Sequence, residues 1–257
     1  MIRTAIILSL AFAVNTAFAL TNMQTQAEFD MELFGGSVRK PGSARGKIVF
    51  INAQKRLAES DIQSAITEIE ETTKADCVSI CSEKVALPNP RKDIEANGGQ
   101  IGVVLIEDAN YPVLTVAPED GWALVNVLAL GSEKIAKKKI ASRARKELMR
   151  AFGLVAGCAF MSRGKIVMLG DVHSPRDLDS IKEETYGVDA ISTMEQSLPK
   201  SGINPWIVST YEDACQEGWA PPPTNKWQKA VWDKVHAPPE KPLKITFDKE
   251  KQKPVVK

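Results

Sequence analysis

The stretch Ile101-Gly102-Val103-Val104-Leu105-Ile106 carries no polar side chain over six residues, so a strand made from it has no face to give to water. Such a strand must be covered on both sides, which calls for helices above and below a largely parallel sheet. Lys47-Ile48-Val49-Phe50-Ile51-Asn52 has the same character, and Ile62, Ala65, Ile66 and Ile69 follow it at helical spacing. Ser60-Asp61-Ile62-Gln63 has the spacing of a capping box at the start of that helix. A strand followed by a helix opens a parallel α/β unit.

Further strands are expected at 76–82, 113–117 and 122–130. Pro88-Asn89-Pro90 and Asn97-Gly98-Gly99 mark a long loop ahead of Ile101, and Glu107-Asp108-Ala109-Asn110 ends the strand that begins there. Pro118-Glu119-Asp120-Gly121 is a turn short enough to join antiparallel neighbours. The expected fold is α/β, with a mixed, mostly parallel twisted sheet, an antiparallel edge hairpin and helices packed on it.

The ends of the chain differ from this middle. One cation, Arg3, precedes the apolar run 4–14, and Ala17-Phe18-Ala19 offers a small-x-small cleavage site, the order of parts in a secretory signal peptide. Residues 1–19 are therefore expected to direct export to a periplasm or the extracellular space. No later segment reaches the apolar length of a membrane helix. Residues 20–45 are polar, with Gly35-Gly36 and Pro41-Gly42, and are expected to be flexible. The α/β domain is assigned to 46–218, and 219–257 to a Pro- and Lys-rich tail. Within the tail, 226–235 suits a short helix anchored by Trp227, Val231 and Trp232.

Lys and Arg number 33 against 32 Asp and Glu, a balance that gives no general attraction to nucleic acid or to an anionic membrane. Cys77, Cys81, Cys158 and Cys215 form an even set that would permit two disulfides in an exported chain. Cys77 and Cys81 are too far apart on an extended strand to bond each other, so a cross-link from that region to Cys158 or Cys215 is expected.

The longest helical pattern begins near Ser132, a possible cap with Glu133 beside it, and runs past residue 150. At 100° per residue Ile140, Ala141, Ala144, Leu148, Ala151, Phe152 and Val155 share one side, and Lys139, Arg143, Lys146 and Arg150 lie opposite. The apolar side should pack on the sheet and the basic side should face water.

Within this helix Lys146-Glu147-Leu148-Met149-Arg150-Ala151-Phe152-Gly153-Leu154-Val155-Ala156 keeps the frame of the pattern H-E-x-x-H-x-x-G-x-x-H. Glu147 and Gly153 stand in register, while Lys146, Arg150 and Ala156 replace the three histidines. Gly121-Trp122-Ala123-Leu124-Val125-Asn126-Val127 precedes the helix, and Ile166-Val167-Met168 with 174–179 follows it. In these features the chain resembles the metzincins, in particular the archaemetzincin-like zinc proteases. The resemblance implies a metzincin-like sheet and helix, with Trp122 on the strand before the active helix and Met168 in the methionine turn. Met161 and Met194 are rivals for that last role.

In the family the histidines bind zinc and the glutamate is the general base. Lysine, arginine and alanine donate no lone pair to zinc, so no zinc cofactor is expected. Glu147 then occupies a degenerate general-base position, and its expected role is a surface ion pair with Arg143 or Arg150. A rebuilt metal site from Asp171, His173, Asp177 and Asp179 matches no known zinc spacing. A Cys158 nucleophile assisted by His173 is the weaker alternative still. The expected function is that of a non-catalytic, metzincin-like binding protein. Its cleft, lined by Lys146, Arg150, Gly153 and Trp122, would take an acidic peptide, glycan or protein surface. A residual metal-dependent peptidase with atypical ligands, or an assembly protein acting through its tail, are the alternatives.

Overall fold

The computed structural model describes residues 31, 34–81, 89–132, 134–161, 166–170, 172–238, 245–248 and 253–256. The signal-peptide pattern at 1–19 and most of 20–45's leading half lie outside them. The described chain forms two compact units, one of Pro41–Ile207 and one built from the N-terminal residues up to Lys40 together with Val208–Lys257.

In chain order the elements are β1 (Ser37–Arg39), β2 (Lys47–Asn52), α1 (Gln63–Thr73), β3 (Asp76–Cys81), α2 (Pro90–Ala96), β4 (Ile101–Ile106), β5 (Leu114–Ala117), β6 (Trp122–Asn126), α3 (Lys137–Val155), α4 (Val188–Ser197), β7 (Val208–Thr210), α5 (Tyr211–Gln216), α6 (Lys226–Val235), β8 (Ile245–Asp248) and β9 (Lys253–Val256). Five strands of the larger unit form one sheet in the order β3-β2-β4-β6-β5. β3, β2, β4 and β6 run parallel, and β5 pairs antiparallel with β6 in the register Leu114↔Val125 to Ala117↔Trp122. This is the mixed α/β sheet with an edge hairpin that the strand patterns predict.

The unbroken apolar strands are explained by cover on both faces. Ile48, Phe50, Val103, Leu105, Ala123 and Val125 point into the core shared with α1 and α3. Their alternates Val49, Ile51, Val104, Ile106 and Leu124 meet Ile94 of α2 on the other face, the period-two division that a pleated strand imposes. The Phe50 and Phe152 rings stand 6.2 Å apart at 52°, a tilted contact favoured by aromatic quadrupoles.

Four local features differ from the sequence-based expectations. The expected long loop contains α2, because Asn89 caps it by accepting from Lys92 N at 3.2 Å and Pro90 fills the first helical position, where a missing N–H costs nothing. Ser60 does not cap α1, which begins at Gln63 after a 3₁₀ turn closed by Asp61 accepting from Ala58 N at 2.9 Å. Nor does Ser132 cap α3: the Ser132 carbonyl accepts from Ile135 N at 3.0 Å, and α3 starts at Lys137. The expected strand 122–130 stops at Asn126, whose side chain accepts from Leu128 N and donates to the carbonyls of Asp108 and Tyr111. This buried amide ties the end of β6 to the loop that returns toward β5.

The smaller unit pairs β1 with β7 antiparallel, so a strand lies in the segment expected to be flexible. Residues 208–218, expected within the sheet domain, group here instead. Tyr211, Cys215 and Val231 are buried together, with Trp232 packed against them. Thr210 caps α5 and Asn225 caps α6. Val231 and Trp232 anchor the tail helix as expected, but Trp227 is 36% exposed and holds the Lys226 ammonium 4.5 Å over its ring. β8 and β9 form an antiparallel pair.

Candidate functional site

α3 runs across the sheet with its apolar side in the core, and its basic side is the surprise. Arg143, Lys146, Glu147 and Arg150 are all buried, where the sequence pattern predicts a solvated face. The reason lies in the segment after the helix. From Cys158 to Gly187 the described chain contains only a short 3₁₀ turn, so its inward carbonyls need donors from elsewhere. The helix supplies them. Arg150 Nη1 donates to the carbonyls of Val167, at 3.2 Å, and Leu169. One turn earlier Lys146 Nζ donates to Leu178 O at 3.1 Å. Another turn back, Arg143 donates to Leu130 O at 2.8 Å and forks onto both Asp179 carboxylate oxygens at 2.9 and 2.8 Å. Tyr186 returns the contact by donating to Met149 O at 2.7 Å.

Asp179 is held far below the ordinary carboxylate range, first by the Arg143 hydrogen bond and further by Lys139, whose ammonium is 3.0 Å away. Its contribution to stability is therefore present above the unfolded-state pKa of about 4 and is lost as pH falls through the folded-state value. Asp179→Asn should cost about 2 kcal/mol at pH 7, the range for hydrogen bonds to charged groups, reduced for Asp179's partial exposure. Urea unfolding at pH 7 and pH 3 measures it; the difference from the parent protein should narrow at the lower pH.

Glu147 pairs with Arg150, as one of the two expected alternatives has it, with Nε to Oε2 at 3.2 Å. The pair is interior rather than superficial, at 3% and 4% side-chain exposure for Arg150 and Glu147. Neither Arg150 Nε nor Glu147 Oε2 makes a hydrogen bond, so the contact is a charge pair without alignment. Burial raises the Glu147 pKa more than Arg150 lowers it.

Gly153, in register with the motif glycine, stays helical. It sits inside α3, which continues to Val155 and ends in a Schellman arrangement, with Gly157 at φ +84°. Gly157 N donates to Leu154 O at 3.0 Å and Cys158 N to Gly153 O at 2.8 Å. Gly153 is required by a neighbour: a Cβ there would stand 2.5 Å from Met168 Sδ and 3.4 Å from Tyr186 Cε1. Met168, fully buried, thus lies directly against the helix at the position in register with the motif glycine. Met194 is in the core on α4, and Met161 bridges to Leu169 at the edge of the same segment.

The remaining candidates are dispersed. Trp122 packs with Val49, Val104 and Ile94 on the other face of the sheet, away from Lys146 and Arg150, because alternation turns the first residue of β6 away from α3. Asp177 caps the turn at 173–177, accepting from His173 N and Ser174 N at 3.0 and 2.7 Å. Asp171 lies outside the described residues. Among the described residues no group of three or more His, Cys, Asp and Glu side chains is placed to hold a metal.

All four cysteines are free thiols, so none of the expected cross-links is formed in this structure. Cys158 is buried with Sγ donating to Ala190 O at 3.4 Å, and burial pushes its pKa up to about 11. Cys81 instead lies beside Glu59, 3.6 Å from its carboxylate. A buried, protonated Cys158 is also unsuited to act as a nucleophile with His173.

What α3, the loop before β5 and the segment 172–178 enclose together is a cleft of about 180 Å³. Its walls are Val113, Leu114, Phe160, Pro175 and Leu178, its inner end holds Glu147 and Arg150, and exposed His173 stands at its rim. The Phe160 ring lies 4.5 Å from the Arg150 guanidinium. Of the predicted binding residues only Arg150 lines this cleft, together with Glu147 from the degenerate general-base position. Lys146 and Gly153 lie on the same helix and face the segment that closes it. Sequence reasoning missed Phe160 and Tyr186, and it reads Arg143 only as a surface residue, whereas Arg143 is buried on Leu130 O and Asp179. The available signal was a cation on each successive turn of one helix face, followed by a long irregular segment in need of donors.

No protein-family model matches the sequence, and no curated protein matches it. Among solved structures the fold is similar to archaemetzincin from Methanopyrus kandleri, at 15% identity and a TM-score of 0.48 over 62% of this chain and 98% of that one. A zinc-dependent peptidase from Methanocorpusculum labreanum is similar at 13% identity and 0.46, over 58% of this chain and 100% of that one. Archaemetzincin from Archaeoglobus fulgidus, complexed with malonate, is similar at 16% and 0.41, over 57% of this chain and 99% of that one.

Proposed function

We propose that this protein is an exported, non-catalytic relative of the metzincins that acts by binding at the cleft beside α3. The observation that carries the reading is the fate of the positions in register with the zinc ligands. Lys146 and Arg150 are occupied in donating to the carbonyls of Leu178, Val167 and Leu169. Ala156 offers a methyl group. The helix also continues past Gly153 instead of turning to present a third ligand. Cationic donors bound to carbonyls do not fit a divalent metal, which needs lone pairs and is repelled by like charge. Glu147, facing Arg150, has no metal-bound water to deprotonate.

In this reading the cations take on a structural task, fastening the segment after the helix, and the cleft persists as a preformed concavity. The signal-peptide pattern at residues 1–19 supports export. Lys146 and Arg143 do not line the cleft, and Arg150, which does, is itself tied to two carbonyls and offset by Glu147. That favours a small enclosed ligand over a broad acidic surface. Incubating the purified mature protein with unfolded polypeptide substrates and added zinc should yield no cleavage products by mass spectrometry. Zinc-dependent cleavage that a chelator abolishes, and that Glu147→Gln removes, would overturn the proposal.

A further inference from the structure

β3 forms the edge of the five-stranded sheet opposite β5, and so lies across the sheet from the cleft. Every residue of β2 and β4 except Lys47 is buried, whereas no residue of Asp76–Cys81 is. The register decides which backbone groups of β3 face outward. Lys47 O accepts from Gln100 N, and Ala53 N donates to Leu105 O, so the odd-numbered residues from Lys47 to Ala53 bond to β4 and the even-numbered ones to β3. With Ile48↔Cys77 and Phe50↔Ser79 in a parallel ladder, it is Asp76, Val78 and Ile80 that turn their backbone groups to β2.

The N–H and C=O groups of Cys77, Ser79 and Cys81 therefore point away from the sheet. Among the described residues no other segment bonds them. A neighbouring segment contributes Trp206 N to Lys74 O at 2.7 Å, which closes the turn before the strand begins. Edge strands are ordinarily guarded by lysine, proline or a bulge. β3 reads Asp-Cys-Val-Ser-Ile-Cys in unbroken register and has none of these guards.

Three evenly spaced outward residues are complementary to themselves. An antiparallel second copy, turned about an axis through Ser79, sets Ser79 against Ser79 and Cys77 against Cys81. Every outward N–H and C=O of both copies then finds a partner. A shift of two residues in either direction leaves Cys77 or Cys81 beyond the end of the facing strand. The side chains obey the same axis. Val78 and Ile80, partly buried beside Val49 and Ile94, come opposite Ile80 and Val78 of the second copy and lengthen that apolar strip. Asp76, the one charge of the strand, falls outside the paired stretch.

We infer that β3 is an interface on which a second copy of this protein docks, antiparallel about Ser79, so that two sheets become one. The inference goes beyond the binding reading above and does not depend on it. Sedimentation velocity of the full mature protein, with its thiols kept reduced, should show a reversible dimer with a Kd of about 10–100 μM, as suits an interface made by strand addition.

Hydrogen exchange, quenched and read by NMR, locates the contact. Raising the concentration from about 20 μM to about 1 mM should slow exchange of the Cys77, Ser79 and Cys81 amides about fivefold or more, while the Val78 and Ile80 amides are protected at both concentrations. Ser79→Pro removes an outward N–H that the sheet does not use, and should leave a monomer at about 1 mM with an unchanged circular dichroism spectrum. Where that variant does not fold, Cys81→Pro makes the same change at the exposed end of the strand. A parent protein that stays monomeric at about 1 mM, a dimer that survives in a folded proline variant, or a dimer whose Cys77, Ser79 and Cys81 amides exchange as in the monomer would overturn the inference.

Discussion

Arg150→Met is expected to lower the unfolding free energy by about 3–5 kcal/mol, the range found when one partner of a buried ion pair is removed. Two losses combine. Glu147 is left in an apolar interior without a counter-charge, and the carbonyls of Val167 and Leu169 lose their donor. Adding Glu147→Leu should return about 1–3 kcal/mol of this, the coupling between groups in direct contact. The remainder belongs to the two carbonyls. The pH dependence has a definite sign. Glu147's folded-state pKa is raised by burial, so its effect on stability is most favourable below the unfolded value of about 4 and is lost as pH rises through the folded value. Without Arg150 that pKa rises further. The deficit of the single variant should therefore shrink between pH 7 and pH 5, while that of the double variant stays constant. Urea unfolding of the four proteins at both pH values gives the cycle; a deficit independent of pH and of residue 147 would place the whole effect in the carbonyl contacts.

Gly153→Leu should cost about 3 kcal/mol. Leucine is a better helix former than glycine by nearly 1 kcal/mol, so propensity alone predicts the opposite sign. The close approach decides: the first added carbon would stand 2.5 Å from Met168 Sδ, in a core where Met168 is fully buried, and overpacking of this kind costs about 1–3 kcal/mol or somewhat more. Gly153→Ala should cost less, and shortening Met168 to Ala in that background should make the two changes less than additive. Thermal unfolding measures all three. A stabilised Gly153→Ala would mean that Met168 moves aside freely.

Part of this molecule is legible in its sequence, and the division has physical causes. β2, β4 and β6 are visible because a strand covered on both faces needs apolar residues at every position, and the short Pro118–Gly121 turn admits only an antiparallel neighbour. α2 was obscured because Pro88-Asn89-Pro90 reads as a breaker until Asn89 is seen to cap and Pro90 to start a helix. The caps of α1 and α3 were misplaced because Ser60 and Ser132 are good caps in isolation, and their hydrogen bonds went elsewhere.

The face of α3 is the more instructive case. Amphipathicity separates apolar from charged residues correctly, but it assigns the charged side to water. The pattern within one helix holds no information about a later segment that covers it. Arg143, Lys146 and Arg150 are buried because 167–179 brings carbonyls and a carboxylate to them. Trp122 faces away from α3, which its strand pattern does not reveal, because membership of a strand does not say which side of the sheet a residue faces until the register is known.

If the function proposed above holds, side-chain cations, and not a metal, fasten the segment after α3. Metal content of the purified mature protein, with its thermal unfolding recorded before and after dialysis against a chelator, tests this most directly. The claim predicts substoichiometric zinc and an unchanged midpoint, since a ligand that does not bind the native state cannot stabilise it. One zinc per chain, lost to the chelator together with a fall of several degrees in the midpoint, would contradict it.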